Sequence, residues 1–315
     1  MPLLRDEIST NDRVLLLYTG KDSLGDANME LCGRALLANK HASIDLLTLP
    51  SLEAQFKEDD IFQNVYTSIN EINSKKYNII LLAEFNHRSI RIKLKHFKRL
   101  PFACLFGYFD GPDRNQTLFS YAAFCRIFKI ALSSDFITTH AKPYVNCSFS
   151  TQESVVSLKP ALPYVVIAVG GVDPYRTYSN WAGLLKKYEN LTNLKIINVV
   201  LVGSGNGKSD AELLERQSYI KIKIINLVGK ISLLQTRSII MDAELFIGCD
   251  GGLMHIAHST GIPTVTLFGV NEPSHLRLTP ACNSRYIQST GAVSEIQPEA
   301  ILERVIHAFG LHSAS

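Results

Sequence analysis

The chain has 315 residues, of which 46% are hydrophobic and 19% are charged, and its formal net charge is +3. This composition excludes a disordered chain, the length suffices for two domains, and the small charge gives no support to nucleic-acid binding. No apolar run approaches the roughly 20 residues that span a bilayer, and the start has no apolar signal segment. We therefore expect a globular, cytoplasmic protein.

Strands and helices are predicted to alternate in the first half of the chain. Residues 14–18 form a short apolar run that ends before Thr19 and Gly20, which is typical of a buried strand followed by a loop. The strands predicted here cover residues 14–18, 43–49, 78–83 and 102–106. The helices predicted here cover residues 25–38, 88–99 and 118–132.

The alternation stops at residues 133–163, where prolines, serines and threonines predict a linker. Beyond it, strands are predicted at residues 164–169, 195–202, 222–226, 244–247 and 263–268. Helices are predicted at residues 178–188, 210–218, 232–241, 253–260 and 298–309. We therefore predict two Rossmann-like α/β domains with parallel sheets, residues 1–155 and 156–315. Because parallel sheets bind ligands at the carboxyl ends of their strands, a site in a cleft between facing domains is expected.

The most informative segment covers residues 246–269. An apolar strand is predicted to end at Gly248, and Asp250 is predicted to be the N-cap of the next helix. Gly251 and Gly252 let a ligand approach the backbone, and the free N–H groups of a helix start favour an anion such as a diphosphate. An ordinary capped β-α-β unit explains the same pattern equally well.

The run Asp-Gly-Gly-Leu-Met-His-Ile-Ala-His-Ser-Thr-Gly-Ile-Pro-Thr-Val-Thr-Leu-Phe-Gly, which starts at Asp250, resembles the signature of the bacterial ADP-heptose:lipopolysaccharide heptosyltransferases, glycosyltransferase family 9. Gly251 stands where the family has threonine, and residues 270–273 differ from the family's closing segment. The resemblance implies a GT-B fold, in which two Rossmann-like domains face a cleft and the last helix can pack back on the first domain. It also implies inverting transfer of heptose from ADP-heptose to a hydroxyl of the lipopolysaccharide inner core, with no cofactor besides this donor.

A Ser-Leu-Gly-Asp segment near the start extends the resemblance, and the family's proposed general base falls on Asp26. A carboxylate at this position accepts the proton of the acceptor hydroxyl while the oxygen attacks the anomeric carbon. From the residues alone, Asp26 is more simply a first-turn helix residue that the helix dipole favours.

The resemblance also implies the donor contacts. The family's phosphate-contacting lysine falls on Arg176, which can hold two diphosphate oxygens. The implied contacts at the helix start are Asp250, Gly251, Gly252, Leu253 and His255. A role for His255 in core packing is equally compatible with its position. Ile231 is predicted to lie against the adenine, and Asp210 or Glu212 is predicted to bond the ribose.

Residues 86–99 carry many basic side chains and no acid. A patch of this kind beside a cleft favours an anionic glycolipid acceptor and peripheral contact with the inner membrane, with Arg88, Arg91 and Lys93 as candidate contacts. A solvated helix face is the simpler alternative. Nucleic acid is not expected as a partner, because aromatic residues are not interleaved with the cations.

Three other patterns in the sequence give weaker support for a functional site. Residues 203–209 lack the glycine spacing of a P-loop or a dinucleotide fingerprint, which also disfavours a dehydrogenase. Asp250, His255 and His258 have no supporting acid nearby, so no metal is expected. Cys249 has no histidine placed to act as its base. Two alternatives stay open, namely a different nucleotide sugar or acceptor, and a non-catalytic member that only binds its ligand.

Overall fold

The computed structural model describes residues 4–38, 43–108, 114–191 and 196–310. The chain divides into two compact units, which are Met1–Ser148 (unit 1) and Phe149–Ser315 (unit 2). Among the described residues, no helix is both long and apolar enough to cross a membrane.

Unit 1 is built on a parallel sheet. Its strands are β1 Arg13–Tyr18, β2 Ser43–Thr48, β3 Phe62–Tyr66, β4 Ile79–Leu82 and β5 Phe102–Cys104. Its helices are α1 Leu24–Glu30, α2 Pro50–Phe56, α3 His87–His96, α4 Gln116–Ile127 and α5 Ser134–His140. In the described part of this unit the strands lie in the order β3-β2-β1-β4-β5. The strand β3 and the helix α2 were not predicted.

The core of unit 1 lies on both faces of this sheet. The apolar run of β1 is fully buried, with Leu16 packing in one cluster with Phe56 and Leu15 packing in another with Phe97. Burial on both faces is the reason that a continuous apolar run, and not an alternating one, forms this strand.

All three helices predicted in unit 1 end earlier than predicted, and α3 ends at His96 rather than at residue 99. The predicted helix 25–38 stops at Glu30 and continues as a 3-10 helix, Cys32–Leu37. The N–H of Gly33 donates to Ser120 Oγ at 2.9 Å on α4, which takes it out of the helical hydrogen-bond series. The helix α4 ends at Ile127, before the predicted residue 132, because Lys129 adopts the left-handed conformation with φ 53° and reverses the chain.

A buried ion pair joins separate segments of unit 1. Arg34 and Asp59 approach to 2.7 Å, and both side chains are fully buried. The guanidinium of Arg34 also donates to the carbonyls of Leu31 at 2.9 Å and Tyr144 at 3.0 Å. The buried arginine therefore has several partners, which offset the cost of removing it from water.

Unit 2 repeats the architecture. Its strands are β6 Tyr164–Ala168, β7 Asn198–Val202, β8 Lys223–Asn226, β9 Leu245–Cys249, β10 Thr264–Phe268 and β11 Ser284–Gln288. Its helices are α6 Phe149–Ser154, α7 Trp181–Glu189, α8 Lys208–Arg216, α9 Leu233–Met241, α10 Gly252–Thr260, α11 Ser274–Arg277 and α12 Pro298–Ala308. In the described part of unit 2 the strands are parallel, in the order β11-β10-β9-β6-β7-β8.

The start of unit 2 lies inside the segment that was predicted to be a linker. Residues 133–163 contain α5 and α6, and α6 packs against α9 of unit 2. The chain therefore divides after Ser148, whereas the sequence placed the division after residue 155. The strand β9 reaches Cys249 rather than Gly248, and Lys195, the predicted first residue of β7, lies outside the described residues. The last helix, α12, buries Ile301 and Val305 in the core of unit 2.

The strand order reverses once in each sheet. In unit 1 the chain builds outward from β1 through β2 to β3, and then returns to the other side of β1 with β4 and β5. In unit 2 the same reversal falls between β6 and β9. Open α/β sheets bind ligands in the crevice at such a point, beyond the carboxyl ends of the two strands. The predicted fold class, two parallel-sheet α/β domains, is confirmed.

Candidate functional site

Two of the predicted site residues meet at the strand reversal of unit 2. After β6, the side chain of Asp173 accepts the N–H of Tyr175 at 2.9 Å and starts the 3-10 helix Pro174–Arg176. Nη2 of Arg176 then donates to Oδ2 of Asp250 at 2.9 Å and to its backbone oxygen at 3.1 Å. The loops after β6 and β9 are thereby joined where the crevice forms.

The prediction that Asp250 is the N-cap of α10 was wrong. The N-cap is Gly251, and no side chain makes a capping hydrogen bond there. The carboxylate of Asp250 is 2% exposed and binds Arg176 instead, because an ion pair is available across the crevice. This difference leaves the helix start without a side-chain cap.

The start of α10 remains open to a ligand. A Cβ atom placed on Gly251 meets nothing within 4 Å, and Gly251, Gly252 and Leu253 are all half-buried rather than covered. The first N–H groups of a helix have no partner within the helix, and the helix dipole favours an anion beside them. An uncapped helix start beside an arginine suits a phosphate group.

Further charged groups surround Asp250 and were not predicted. Nε of Arg277, on α11, lies 4.0 Å from Oδ2 of Asp250. The carboxylate of Glu272 lies 3.7 Å from Nε of Arg176. Burial raises the pKa of Glu272, and Arg176 acts against that rise. Glu272 lies in the closing segment where the sequence departs from the family, which was the available signal for it.

The two histidines of α10 are both buried. His255 is 1% exposed, and its Nε2 lies 3.8 Å from Oδ1 of Asp250, which favours the packing role for this residue. His258 is fully buried, with Nε2 at 3.2 Å from Oγ1 of Thr264. Among the residues that the structure describes, no group of three or more His, Cys, Asp or Glu side chains could hold a metal ion.

The thiol of Cys249 is poorly suited to nucleophilic chemistry. Burial raises the pKa of Cys249 to about 12. Only the thiolate is an effective nucleophile, so this residue stays inactive near neutral pH. The side chain instead packs against the core of unit 2.

The predicted nucleoside contacts lie farther along the sheet. Asp210 is in the first turn of α8, after β7, and is half-buried. Glu212 lies 3.5 Å from Arg216 on the same helix. Ile231 is half-buried in the loop between β8 and α9. Because β7 lies next to β6, on the side away from β9, and β8 lies next to β7, these residues share one side of the strand reversal.

The glycine-rich segment after β7 has a packing role. Gly170 has φ +83°, and a Cβ atom placed on it would lie 2.6 Å from Cα of Gly207. The loops after β6 and β7 therefore touch backbone to backbone, which requires glycine on both sides. This close approach explains the glycines that resemble a P-loop.

The strand reversal of unit 1 is bridged by a buried acid. Oε1 of Glu84, after β4, accepts the backbone N–H groups of Thr19, at 2.9 Å, and Gly20 after β1. Ser89 Oγ, on α3, donates to the same oxygen at 3.3 Å. The acid directly after a predicted apolar strand was the signal for this contact, which the sequence analysis missed.

Asp26 lies at the same edge of unit 1. Ser23 is the N-cap of α1, and its Oγ accepts the N–H of Asp26 at 3.4 Å. The helix start therefore presents a half-buried carboxylate just beyond the carboxyl end of β1. This position fits the helix-dipole interpretation of Asp26.

A charged cluster adjoins Asp26. Glu30 lies one turn farther along α1, accepts the hydroxyl of Tyr18 at 2.8 Å and pairs with Lys21. Burial raises the pKa of Glu30, while Lys21 and Tyr18 act in the opposite direction. Burial lowers the pKa of Lys21, but Glu30 outweighs this effect and the net shift is upward. Lys21 therefore carries a positive charge beside the proposed base.

The basic helix α3 exposes only some of the predicted cations. Arg88 and Arg91, which the sequence predicted as acceptor contacts, are exposed. Lys93 is 3% exposed, and its Nζ donates to the carbonyl oxygen of Phe97 at 3.1 Å. Burial also lowers the pKa of Lys93. The prediction that Lys93 binds an acceptor was wrong, because its ammonium closes the end of α3 internally.

Two parallel-sheet α/β units, with polar groups at the strand reversals and an uncapped helix start beside an arginine, are typical of α/β proteins that bind ligands with phosphate groups. The family "Glycosyltransferase family 9 (heptosyltransferase)" matches residues 114–301. Since this match covers more than half of the chain, the chain belongs to glycosyltransferase family 9. No curated protein matches the sequence.

Solved structures of family 9 proteins share the fold. A family 9 glycosyl transferase from Veillonella parvula has a TM-score of 0.75 at 13% identity, over 96% of this chain and 98% of that chain. The E. coli ADP-heptose lps heptosyltransferase II has a TM-score of 0.69 at 17% identity, over 94% of this chain and 98% of that chain. The structure of "E. coli heptosyltransferase WaaC with ADP" has a TM-score of 0.69 at 13% identity, over 94% of this chain and 99% of that chain. At these identities the likeness shows the fold alone.

Proposed function

We propose that this glycosyltransferase moves a heptose from ADP-heptose to a hydroxyl of a lipopolysaccharide inner-core acceptor, with inversion. The family match and the named E. coli structures support this choice of donor and acceptor class. The observation that carries the proposal is the pairing of Arg176 with Asp250 beside the uncapped start of α10. The expected site of action is the cytoplasmic face of the inner membrane.

Unit 2 would bind the donor. The N–H groups at Gly251, Gly252 and Leu253 would hold the diphosphate, together with Arg176. Nη2 of Arg176 makes both bonds to Asp250, and a guanidinium carries five N–H donors in all. Nε of Arg176 lies 3.7 Å from Glu272, so the donors on Nη1 are the ones that suit the phosphate oxygens, whose charge grows as the sugar leaves.

Unit 1 would bind and activate the acceptor. The acceptor oxygen forms a bond to the anomeric carbon as the bond from that carbon to the diphosphate oxygen breaks. Asp26 takes the hydroxyl proton, and ADP leaves with the bonding electron pair. The exposed cations Arg88 and Arg91 would contact anionic groups of the acceptor.

The test measures donor binding and turnover separately. ADP-heptose should raise the melting temperature of the wild type more than UDP- or GDP-sugars at equal concentration. Arg176→Ala should remove most of this shift, whereas Arg285→Ala, an exposed arginine on β11, should keep it. The proposal fails if no nucleotide sugar shifts the melting temperature at saturation.

Asp26→Asn tests the base directly. We expect kcat with ADP-heptose and an inner-core acceptor to fall about 100-fold or more, while donor affinity stays unchanged. Asp135→Asn on α5 is the matched control, because Asp135 is exposed. Equal turnover in wild type and Asp26→Asn would remove Asp26 from the mechanism.

A second candidate is a different nucleotide sugar or a binding role without transfer. Gly251 favours it, because the family's threonine hydroxyl is missing at the diphosphate position. A larger thermal shift with UDP- or GDP-sugar would support a different donor. Donor binding with no product on any tested acceptor, and with no effect of Asp26→Asn, would support a binding role.

A further inference from the structure

Unit 1 contains a cavity of about 410 Å³ between α3 and the edge strand β5. Most of its walls are aliphatic or aromatic, and the residues that form them are Leu82, Phe85, Ile90, Leu94, Phe102 and Phe106. Three charged residues also line it, beside Leu4: Lys93, whose Nζ donates to the carbonyl oxygen of Phe97, Asp6, and Arg5, which pairs with Asp12 at 2.9 Å. The volume falls in the range of roughly 300–1,000 Å³ that is usual for small-molecule pockets. We call this cavity the α3 groove.

The rim of the α3 groove exposes large apolar side chains. Phe85 is 79% exposed, Leu94 is 54% exposed and Leu4 is 61% exposed. A contiguous apolar surface of this kind marks a binding site, because single exposed apolar residues are usually scattered. None of these side chains has a part in the proposed sugar transfer.

A cationic stripe runs beside the apolar one on α3. Ile90 and Leu94 are one turn apart and both line the groove. Arg88, Arg91 and Lys95 follow helical spacing on the adjoining face, and all are exposed. A helix with apolar and basic faces side by side is typical of proteins that lie at an anionic lipid surface.

We propose that the α3 groove holds one acyl chain of an anionic bilayer lipid, while Lys95 contacts its headgroup phosphate beside the cations Arg88 and Arg91. Charge complementarity identifies this occupant: the groove is apolar and its flank on α3 is basic without an acid. A single acyl chain anchors a protein only weakly, so the chain and the headgroup contacts are both required for stable binding. The proposal rests on the proposed function only in placing the protein beside a membrane.

The first experiment is vesicle sedimentation of the full-length protein. The protein should bind vesicles of phosphatidylcholine mixed with phosphatidylglycerol, bind pure phosphatidylcholine poorly, and be partly released by salt. Leu94→Gln and Phe85→Ser leave the net charge unchanged and should each weaken binding about tenfold. Ile220→Gln is the control, because Ile220 is a 94% exposed apolar residue of unit 2.

The second experiment separates the groove from surface attraction. Dodecyl phosphate, below its micelle concentration, should bind the wild type at least about tenfold more tightly than inorganic phosphate, and Leu94→Gln should remove the difference. Equal affinity for the two probes, or vesicle binding that Leu94→Gln and Phe85→Ser leave intact, would overturn the proposal. Neither assay measures transfer, so a failure here is distinct from a failure of the ADP-heptose thermal shift.

Discussion

The guanidinium of Arg176 is held by Asp250 before any ligand arrives. Its side chain is 31% exposed and bonds both the carboxylate and the backbone oxygen of Asp250. A side chain that is already fixed loses less conformational freedom when it binds a ligand. The Asp250 carboxylate therefore acts as a positioning group in the proposed mechanism.

Gly251→Thr should be tolerated and should stabilise the protein. Gly251 has an extended backbone, and its Cβ position is open. We expect a gain of about 0.4–1 kcal/mol in the free energy of unfolding, because a side chain restricts the unfolded chain. If ADP-heptose is the donor, the added hydroxyl should also increase ADP affinity. Urea unfolding and calorimetry measure the two effects.

Gly170→Thr is the matched control for this substitution. Gly170 has φ +83°, and an added Cβ would lie 2.6 Å from Gly207, so this variant should lose stability. A loss of stability in Gly251→Thr equal to that in Gly170→Thr would contradict the open geometry at the start of α10.

At the residue scale, the sequence predicted where elements begin better than it predicted what individual side chains contact. The Asp-Gly-Gly pattern located the start of α10 correctly, but the distant Arg176 turned Asp250 from a cap into an ion-pair partner. In the same way, the spacing on α3 could not show that Lys93 turns inward to the carbonyl of Phe97. Both outcomes depend on which neighbours the fold supplies.

At the scale of elements, a buried histidine ties α10 to the next strand. Nε2 of His258 lies 3.2 Å from Oγ1 of Thr264 on β10. Burial, aided by His255, lowers the pKa of His258 well below its usual value of 6.5. The native protein therefore keeps this imidazole neutral under conditions in which the unfolded chain protonates it.

This depressed pKa predicts a loss of stability in acid. The contribution of His258 is complete above pH 6.5, and as the pH falls further the free energy of unfolding should drop by up to about 1.4 kcal/mol per pH unit. His258→Gln should flatten this slope in urea unfolding between about pH 5 and 8. His307→Gln, an exposed control on α12, should keep the wild-type slope. Equal slopes for wild type and His258→Gln would contradict the assignment.

Elements were predicted where burial imposes a pattern on the sequence. The strands β1, β4, β6 and β9 are nearly continuous apolar runs and were all found. The edge strands β3 and β11 were missed, because most of their residues are exposed or half-buried and carry little periodicity. The predicted helix ends were wrong where a tertiary contact decides the end. For α1, this contact is the hydrogen bond from the N–H of Gly33 to Ser120.

At the scale of the whole molecule, each unit has its own core, so a defect in one should not remove the ligand site of the other. Asp59→Ala leaves Arg34 buried without its charge partner in unit 1. We expect a loss of about 3–5 kcal/mol in the stability of this unit. The affinity for ADP, measured by calorimetry below the melting transition, should stay within about twofold, because unit 2 is intact.

Asp60→Ala is the neighbouring control. Asp60 is exposed and accepts the hydroxyl of Tyr144 at 3.2 Å, so this substitution should cost little stability. A large loss of ADP affinity in Asp59→Ala at low temperature would show that unit 1 contributes to the nucleotide site.

The two-unit architecture could be predicted because the strand–helix alternation occurs twice. The place of the candidate site within unit 2 stays a prediction, which rests on the tendency of ligands to bind at the carboxyl ends of parallel strands. The strand order could not be predicted from the sequence. This order makes the loops after β6 and β9 neighbours. Arg277 and Glu272 were missed for the same reason.

The strand reversals also determine when the polar contacts between strand ends can form in each unit during synthesis. Glu84 and Thr19 are separated by 65 positions in the chain, and Arg176 and Asp250 are separated by 74 positions. A nascent chain released before β9 has left the ribosome holds the completed bridge of unit 1 but only one side of the unit 2 crevice. If the donor binds at the start of α10 as proposed, it should not stabilise such a truncated polypeptide, because Asp250 and α10 are missing from its folded part.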